Sequence, residues 1–138
     1  MDKNTLDIIA ALNHTAISTD TNTDGIVIDT KGARDVNFGI QCHDFTDGTY
    51  TIQVLEDDVV GMSSASVIAA ADINGDQYNT AITPASDDVV HVSINRTSHK
   101  QFVQLRVVSA STTSGAELSA VCVLGSLQKS KPSADNPS

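Results

Sequence analysis

The stretch TDGTYTIQVLEDD, residues 46–58, decides the fold class of this chain. It opens with an Asp-Gly pair in which Gly48 can adopt a positive φ without steric cost, a common signal for a tight turn. Tyr50, Ile52 and Val54 then alternate with polar residues, a period of two that indicates a strand with one buried face. The sequence therefore predicts a turn followed by a half-buried strand.

The same alternation recurs along most of the chain and predicts further strands. A short first strand is expected at residues 26–28, and the Asp-Gly turn is expected to join strands 36–42 and 50–54 as a hairpin. Residues 67–71 fit a strand or a helical turn equally well, and residues 72–86 are predicted as a long loop. The predicted inward-facing residues of the other strands are Val36, Phe38, Ile40, Cys42, Val90, Val92, Ile94, Val103, Leu105, Val107, Leu118, Ala120, Cys122 and Leu124.

Short strands separated by turns roughly every 8–12 residues indicate an all-β domain. We predict a single antiparallel β-sandwich or small barrel of about seven strands. The predicted organisation is an extended N-terminal arm (residues 1–19), a β-sandwich domain (residues 20–125) and a flexible C-terminal tail (residues 126–138). A length of 138 residues suits one such domain.

Composition narrows the possible functions. A net charge of -9 opposes binding to nucleic acid or to an anionic membrane surface. No run approaches the roughly 20 apolar residues of a membrane span, and the first residues lack the order of a signal peptide. Cys42 and Cys122 lie on predicted apolar faces, so we expect buried free thiols, although their pairing stays open.

One segment resembles the opening of a calcium loop. Asp20, Asn22 and Asp24 match the D-x-N-x-D-G pattern, in which alternate oxygens converge on the ion. The twelfth position, where a bidentate Glu is expected, holds Lys31. Asp, Asn and Gly are also the usual residues of ordinary turns. We therefore predict no metal site and no cofactor, and keep these three residues as the calcium candidates.

The chain carries no catalytic signature, so we predict that it is not an enzyme and assign no catalytic residue. It has no G-x-S-x-G turn and no histidine pair at metal-ligand spacing. His43 and His91 fall on outward faces of predicted strands. The acidic groups at residues 56–58 and 87–88 lie at strand ends, without the aromatic residues that line sugar-cleaving clefts.

The order of the motifs resembles that of small virion structural proteins of tailed bacteriophages. The resemblance covers roughly residues 24–132, and it departs from the family pattern where Lys-Gln-Phe replaces Lys-Arg-Tyr and where residues 72–86 align poorly. The matching stretches are IDTKG (28–32), TDGTYTIQVLEDD (46–58), AAD (70–72), KQFVQLR (100–106) and LSAVCVLG (118–125).

This resemblance implies a capsid decoration or cement protein that binds the lattice of the major capsid protein, commonly as a homotrimer. Such a protein is made in the host cytoplasm and resides on the capsid surface of the virion. The alternatives are a head–tail connector or other virion component, and a calcium-assisted β-sandwich ligand-binding module. We expect the arm to pack on the capsid or on a sister subunit through Leu6, Ile8, Ile9 and Leu12, and to be removable without unfolding the domain.

Overall fold

The computed structural model describes residues 6–75, 77–85, 88–95 and 99–125, and within them the chain is all-β, as predicted. A single 3-10 turn, Ala70–Asp72, is the only helical element of these residues. The strands are β1 (Asp7–Ile17), β2 (Asn22–Asp24), β3 (Ile28–Asp29), β4 (Asp35–Phe45), β5 (Thr49–Asp57), β6 (Ser66–Val67), β7 (Ile73–Asn74), β8 (Val89–Ile94), β9 (Phe102–Ala110) and β10 (Ala116–Gly125).

The strands form two antiparallel sheets that pack face to face. The first sheet has the order β1-β10-β4-β8-β7, and the second has the order β2-β9-β5-β6, with β3 also paired to β9. The two sheets do not close into a barrel, so the sandwich form of the prediction is the correct one.

The strand pairs are nested around the connection between β5 and β6. Moving outward from it, β5 pairs with β6, β4 with β8, β2 and β3 with β9, and β1 with β10. A chain paired in this way is one long hairpin rolled up into two sheets. This is the strand order of a jelly roll.

The core lies between the inner faces of the two sheets. Every strand residue predicted to face inward is buried, including Phe38 of β4 and Leu105 of β9. Each such large aliphatic or aromatic side chain contributes roughly 1.5–3 kcal/mol of burial free energy. The period of two in the sequence therefore records which face of each strand meets the other sheet.

The Asp-Gly turn does not make the predicted hairpin. It is a corner that carries the chain from β4 in the first sheet to β5 in the second. Gly48 has a φ of 97°, as expected, but the Asp47 carboxylate binds the distant connection between β9 and β10. Its Oδ1 accepts backbone N–H groups at 3.0, 3.2 and 2.8 Å from Thr113, Ser114 and Gly115. These bonds hold the β4–β5 corner against the connection between β9 and β10.

Tyr50 completes this corner from the next strand. Its ring is fully buried, and its hydroxyl donates a hydrogen bond of 2.8 Å to the backbone carbonyl of Asp47. A tyrosine that bonds the backbone just before its own strand is a recurrent device at places where a chain crosses between sheets. The corner is thus held from both sides.

The predicted N-terminal arm is also corrected, because residues 7–17 form β1 inside the first sheet. The strand pairs with β10 from Asp7, opposite Leu124, to Ile17, opposite Ala116. Its register shifts twice, between positions 10 and 12 and between 12 and 15. These irregularities break the period of two, and this is why the sequence did not show a strand. They also make the exposed β1 edge of the first sheet a poorer template for pairing with another chain.

Two smaller predictions also change. The first short strand is β2, at residues 22–24, and of residues 26–28 only Ile28 belongs to a strand. The predicted loop 72–86 contains β7, and its backbone at Tyr78 and Ile82 forms bridges to β5. The Tyr78 hydroxyl donates to the Ile68 carbonyl at 2.7 Å, which fixes this segment along the β5 edge. The predicted tail, residues 126–138, lies outside the described residues.

Candidate docking face

The outer face of the first sheet is built from cross-strand rows of residues on β1, β10, β4 and β8. Residues directly opposite each other in an antiparallel pair point to the same side. None of these side chains is buried, and Ile8, Val89 and Val121 are 72%, 64% and 45% exposed. We define the docking face as three of these rows. The first row is Ile8, Val123, Asn37 and Ser93, the second is Ala10, Val121, Gly39 and His91, and the third is Ser119, Gln41 and Val89.

These three rows contain no Asp, Glu, Lys or Arg, although the chain has 17 acidic and 8 basic residues. The next row of the same outer face is charged, because Glu117 lies opposite Asp44 there. The outer face of the second sheet also carries charges, because Arg106 and Asp24 form an ion pair there at 2.6 Å. Burying an unpaired charge against another protein is costly, and the centres of protein interfaces are depleted in charge. The docking face is therefore the part of the first sheet's outer face that another protein surface can cover at the lowest cost.

Carboxylates are instead used in the connections at the ends of the sandwich. Asp57, at the end of β5, accepts backbone N–H groups from Ser64 at 2.8 Å and from Asp58 at 2.6 Å. The Ser64 bond in particular lowers the pKa of the Asp57 carboxyl. The pKa of Asp47 is lowered too, first by its bond from the Thr113 N–H. Both groups stay ionised and hold loops in place.

Two histidines stand beside the docking face. His14 Nε2 lies 2.6 Å from Glu117 Oε1, His43 Nε2 lies 2.6 Å from Ser119 Oγ, and the two ring centroids are 4.8 Å apart. His43 and His91 are exposed, as predicted. A serine bonded to a histidine is one part of nucleophilic catalysis, which also needs donors for an oxyanion. Ser119 lies on β10, whose backbone N–H groups pair with β1 and β4, so this contact alone makes no hydrolytic site.

Two of the three calcium candidates are already bound by other residues of the chain. Asp20 Oδ1 accepts hydrogen bonds from the Thr112 N–H at 2.9 Å and hydroxyl at 2.7 Å, and these bonds lower the pKa of its carboxyl. Asp24 is bound by Arg106, and Asn22 lies in β2 opposite Val108. In the described ranges no three His, Cys, Asp or Glu side chains are grouped so that they could hold a metal ion.

We expect calcium to leave the thermal stability of the chain unchanged, because Asp20 and Asp24 already have protein partners. A ligand that binds only the folded state at well above its dissociation constant raises stability by about 2.7 kcal/mol or more. The melting temperature should be measured by calorimetry in millimolar calcium and in chelator. A calcium-dependent rise of several degrees would restore the calcium-loop interpretation.

The predicted interaction residues are separated by the fold. Ile8 points outward on the docking face, and Leu6, just before β1, is 55% exposed. Ile9 is half-buried against the core, and Leu12 is buried within it. Of the four, only Leu6 and Ile8 offer most of their side chain to a partner. The rest of the docking face was missed, although its signal was present as uncharged outward positions on β4, β8 and β10.

Neither cysteine is in a disulfide, and both are buried, as expected. Cys122 lies opposite Phe38, whereas Cys42 lies opposite Leu118. The offset between positions 118 and 122 along β10 amounts to roughly 13 Å at about 3.3 Å per residue, well beyond the distance that a disulfide spans. Burial raises the pKa of the Cys122 thiol to about 12. These thiols are core side chains.

Comparisons of the chain with protein families, with curated proteins and with solved structures gave no match. The described part of the chain also contains no helix suited to crossing a membrane.

Proposed function

We propose that this chain is a non-enzymatic structural protein of a tailed-bacteriophage virion. In this proposal it acts as a capsid decoration or cement protein that docks on the lattice of the major capsid protein. The observation that carries the proposal is the uncharged docking face on a chain with a net charge of -9. Electrostatic repulsion keeps such chains apart in solution, while this one face can be covered.

Two further features support the same proposal. The jelly-roll strand order is used by viral capsid domains, although lectins and cupins share it, so this support is an analogy of fold. The motif order resembles phage virion proteins along most of the chain. The same resemblance is our reason for proposing a homotrimer, a location on the capsid surface and synthesis in the host cytoplasm. A head–tail connector is the alternative within the same class.

The calcium-assisted binding module is the weaker alternative. Its candidate ligands Asp20 and Asp24 are engaged by Thr112 and Arg106. Nucleic acid and membrane are not among the partners that we propose, given the acidic balance of the chain.

The decisive variant is Val121→Asp, which places a carboxylate in the middle of the docking face. Val121 is 45% exposed, so the fold should tolerate the change within about 1 kcal/mol. Capsid affinity should fall at least about thirtyfold, because the new charge must be buried without a partner. The measurement is co-sedimentation with capsids assembled from a major capsid protein, if the gene neighbourhood of this chain encodes one.

The matched control is Thr51→Asp, on the outer face of the second sheet, and it should bind as the wild type does. Equal binding by wild type and Val121→Asp would remove the docking face from the proposal. The absence of a capsid gene from the neighbourhood, or of any binding by wild type, would overturn the proposed function itself.

A further inference from the structure

Three glycines of the chain follow an Asp or Asn residue, in the dipeptides Asp24-Gly25, Asp47-Gly48 and Asn74-Gly75. In such a dipeptide the backbone nitrogen of the glycine can attack the side-chain carbonyl carbon of the preceding residue and close a five-membered ring. Glycine has no Cβ that would hinder this approach. The surroundings of each dipeptide decide whether it reacts.

Both Asp-Gly dipeptides are held in unreactive states. The Asp24 carboxylate is bound by the Arg106 guanidinium at 2.6 Å. The Gly25 N–H, which would have to attack it, donates to the Leu105 carbonyl at 2.8 Å. The Asp47 carboxylate accepts three backbone N–H groups and stays ionised. An ionised carboxylate is a poor target for a nucleophile, so we expect neither dipeptide to react.

The backbone around Asn74 leaves the attacking nitrogen accessible. Asn74 is exposed and ends β7, the outermost described strand on its side of the first sheet. The N–H of Asn95 donates to the Asp72 carbonyl at 2.9 Å. Bonded pairs alternate along an antiparallel ladder, so Asn74 exchanges its backbone bonds with Ser93. The N–H of the next residue, Gly75, therefore points away from β8.

The side chain of Asn95 favours attack on Asn74. Asn95 Nδ2 donates a hydrogen bond of 3.1 Å to Asn74 Oδ1. Negative charge develops on this oxygen when a nucleophile adds to the amide carbon, and a donor already in place stabilises that charge. Ring closure also requires rotation of the Asn74 backbone. This rotation disturbs only the end of a two-residue edge strand, which opens at low cost.

We propose that Asn74 is a site of spontaneous deamidation. The Gly75 nitrogen loses its proton and bonds to Asn74 Cγ, the Cγ–Nδ2 bond breaks, and the amide group leaves as ammonia. Water then opens the five-membered ring at one of its two carbonyl groups. The products are an aspartate and an isoaspartate, and in the isoaspartate the backbone runs through the former side chain and is one carbon longer. The reaction uses only water.

The modification changes the margin of the docking face. Asn74 lies opposite Ser93 and so continues the first row of that face on β7. Either product places a carboxylate beside three rows that contain no charge. This consequence rests on the proposed docking function: an aged chain should dock less tightly than a fresh one, because the new carboxylate loses water when the face is covered.

The test is a timed incubation of the full chain at neutral pH, followed by peptide mapping with mass spectrometry. Deamidation replaces an NH2 group by OH, and fragmentation distinguishes aspartate from isoaspartate. Asn74 should react faster than every other asparagine of the chain. Asn95→Ala should slow the reaction about three- to tenfold, because a donor to the developing charge is lost. The matched control Asn22→Ala, in β2, should leave the rate at Asn74 unchanged.

Capsid co-sedimentation measures the consequence for docking. Asn74→Asp carries the new charge from the start and should bind about three- to tenfold more weakly than the wild type. The matched control Asn22→Asp adds the same charge on the second sheet and should bind as the wild type does.

Each part of the proposal has an outcome that would overturn it. Reaction at Asn74 no faster than at other asparagines would remove the modification site, and equal rates in wild type and Asn95→Ala would remove the role of Asn95. Equal docking by wild type and Asn74→Asp would remove the effect on the docking face. Absence of docking by the wild type would overturn only the proposed function, because the mass-spectrometric measurement needs no capsid.

Discussion

Gly115→Ala is expected to destabilise the fold by roughly 2–5 kcal/mol, a large part of the stability of a domain this size. Gly115 directly precedes β10 and has a φ of 83°, a backbone conformation that is strained for any residue with a Cβ. A Cβ at this position would overlap the backbone carbonyl of Ile17, at the end of β1. The same residue also donates its N–H to the Asp47 carboxylate. The melting temperature should fall by roughly 8–20 °C.

The matched control is Gly61→Ala, in the connection between β5 and β6. A Cβ there meets no atom within 4 Å, and this glycine does not have a positive φ. Its stability should stay within about 0.5 kcal/mol of wild type. Both variants should be compared by thermal and urea denaturation. If Gly115→Ala melts with the wild type, the close packing of β1 against this corner is wrong.

Deletion of residues 1–19 is expected to abolish cooperative folding. The deletion removes β1 and with it the buried side chains of Ala11, Leu12 and Ile17. Burial of Leu12 and Ile17 alone accounts for roughly 3–6 kcal/mol. Their loss also leaves the β10 edge unpaired, which favours aggregation. Circular dichroism melting and size-exclusion chromatography measure both effects.

Deletion of residues 1–5 is the control, because it leaves β1 complete. This shorter variant should melt with the wild type. A cooperative transition at the wild-type temperature in the 20–138 chain would instead restore the original expectation of a separable arm. Since the long deletion acts on the fold itself, loss of capsid binding by that variant would not identify the docking residues; point changes at Ile8 and Val121 are needed for that purpose.

The inward positions of the long strands could be predicted because burial of alternate side chains is a local property. Phe38, Ile40, Val103 and Leu105 face the core as their alternation indicated. Strand partners are not a local property. The Asp47-Gly48 turn was expected to pair β4 with β5, yet each strand finds its partners elsewhere in the chain. Those partners, and the bonds from Asp47 to residues 113–115 that hold the corner, lie far away in the sequence, so no local pattern contains them.

The docking face shows a similar limit. Val121, Gly39 and His91 share one cross-strand row, but they come from three strands that are far apart in the sequence. Each strand alone shows only unremarkable uncharged outward positions. The register that brings them together was needed before the absence of charge became a property of a surface.

The nested pairing has a consequence for how the chain reaches its native state. Strand β1 is synthesised first, but among the described strands its one sheet partner is β10, which ends at Gly125. The backbone hydrogen bonds between β1 and β10 therefore cannot form until nearly the whole chain has left the ribosome. Contacts between residues this far apart in sequence make folding slow, in the range of milliseconds to seconds. We expect the pairs nearest the β5–β6 connection to form first, because they close the shortest loops, and β1 to add last.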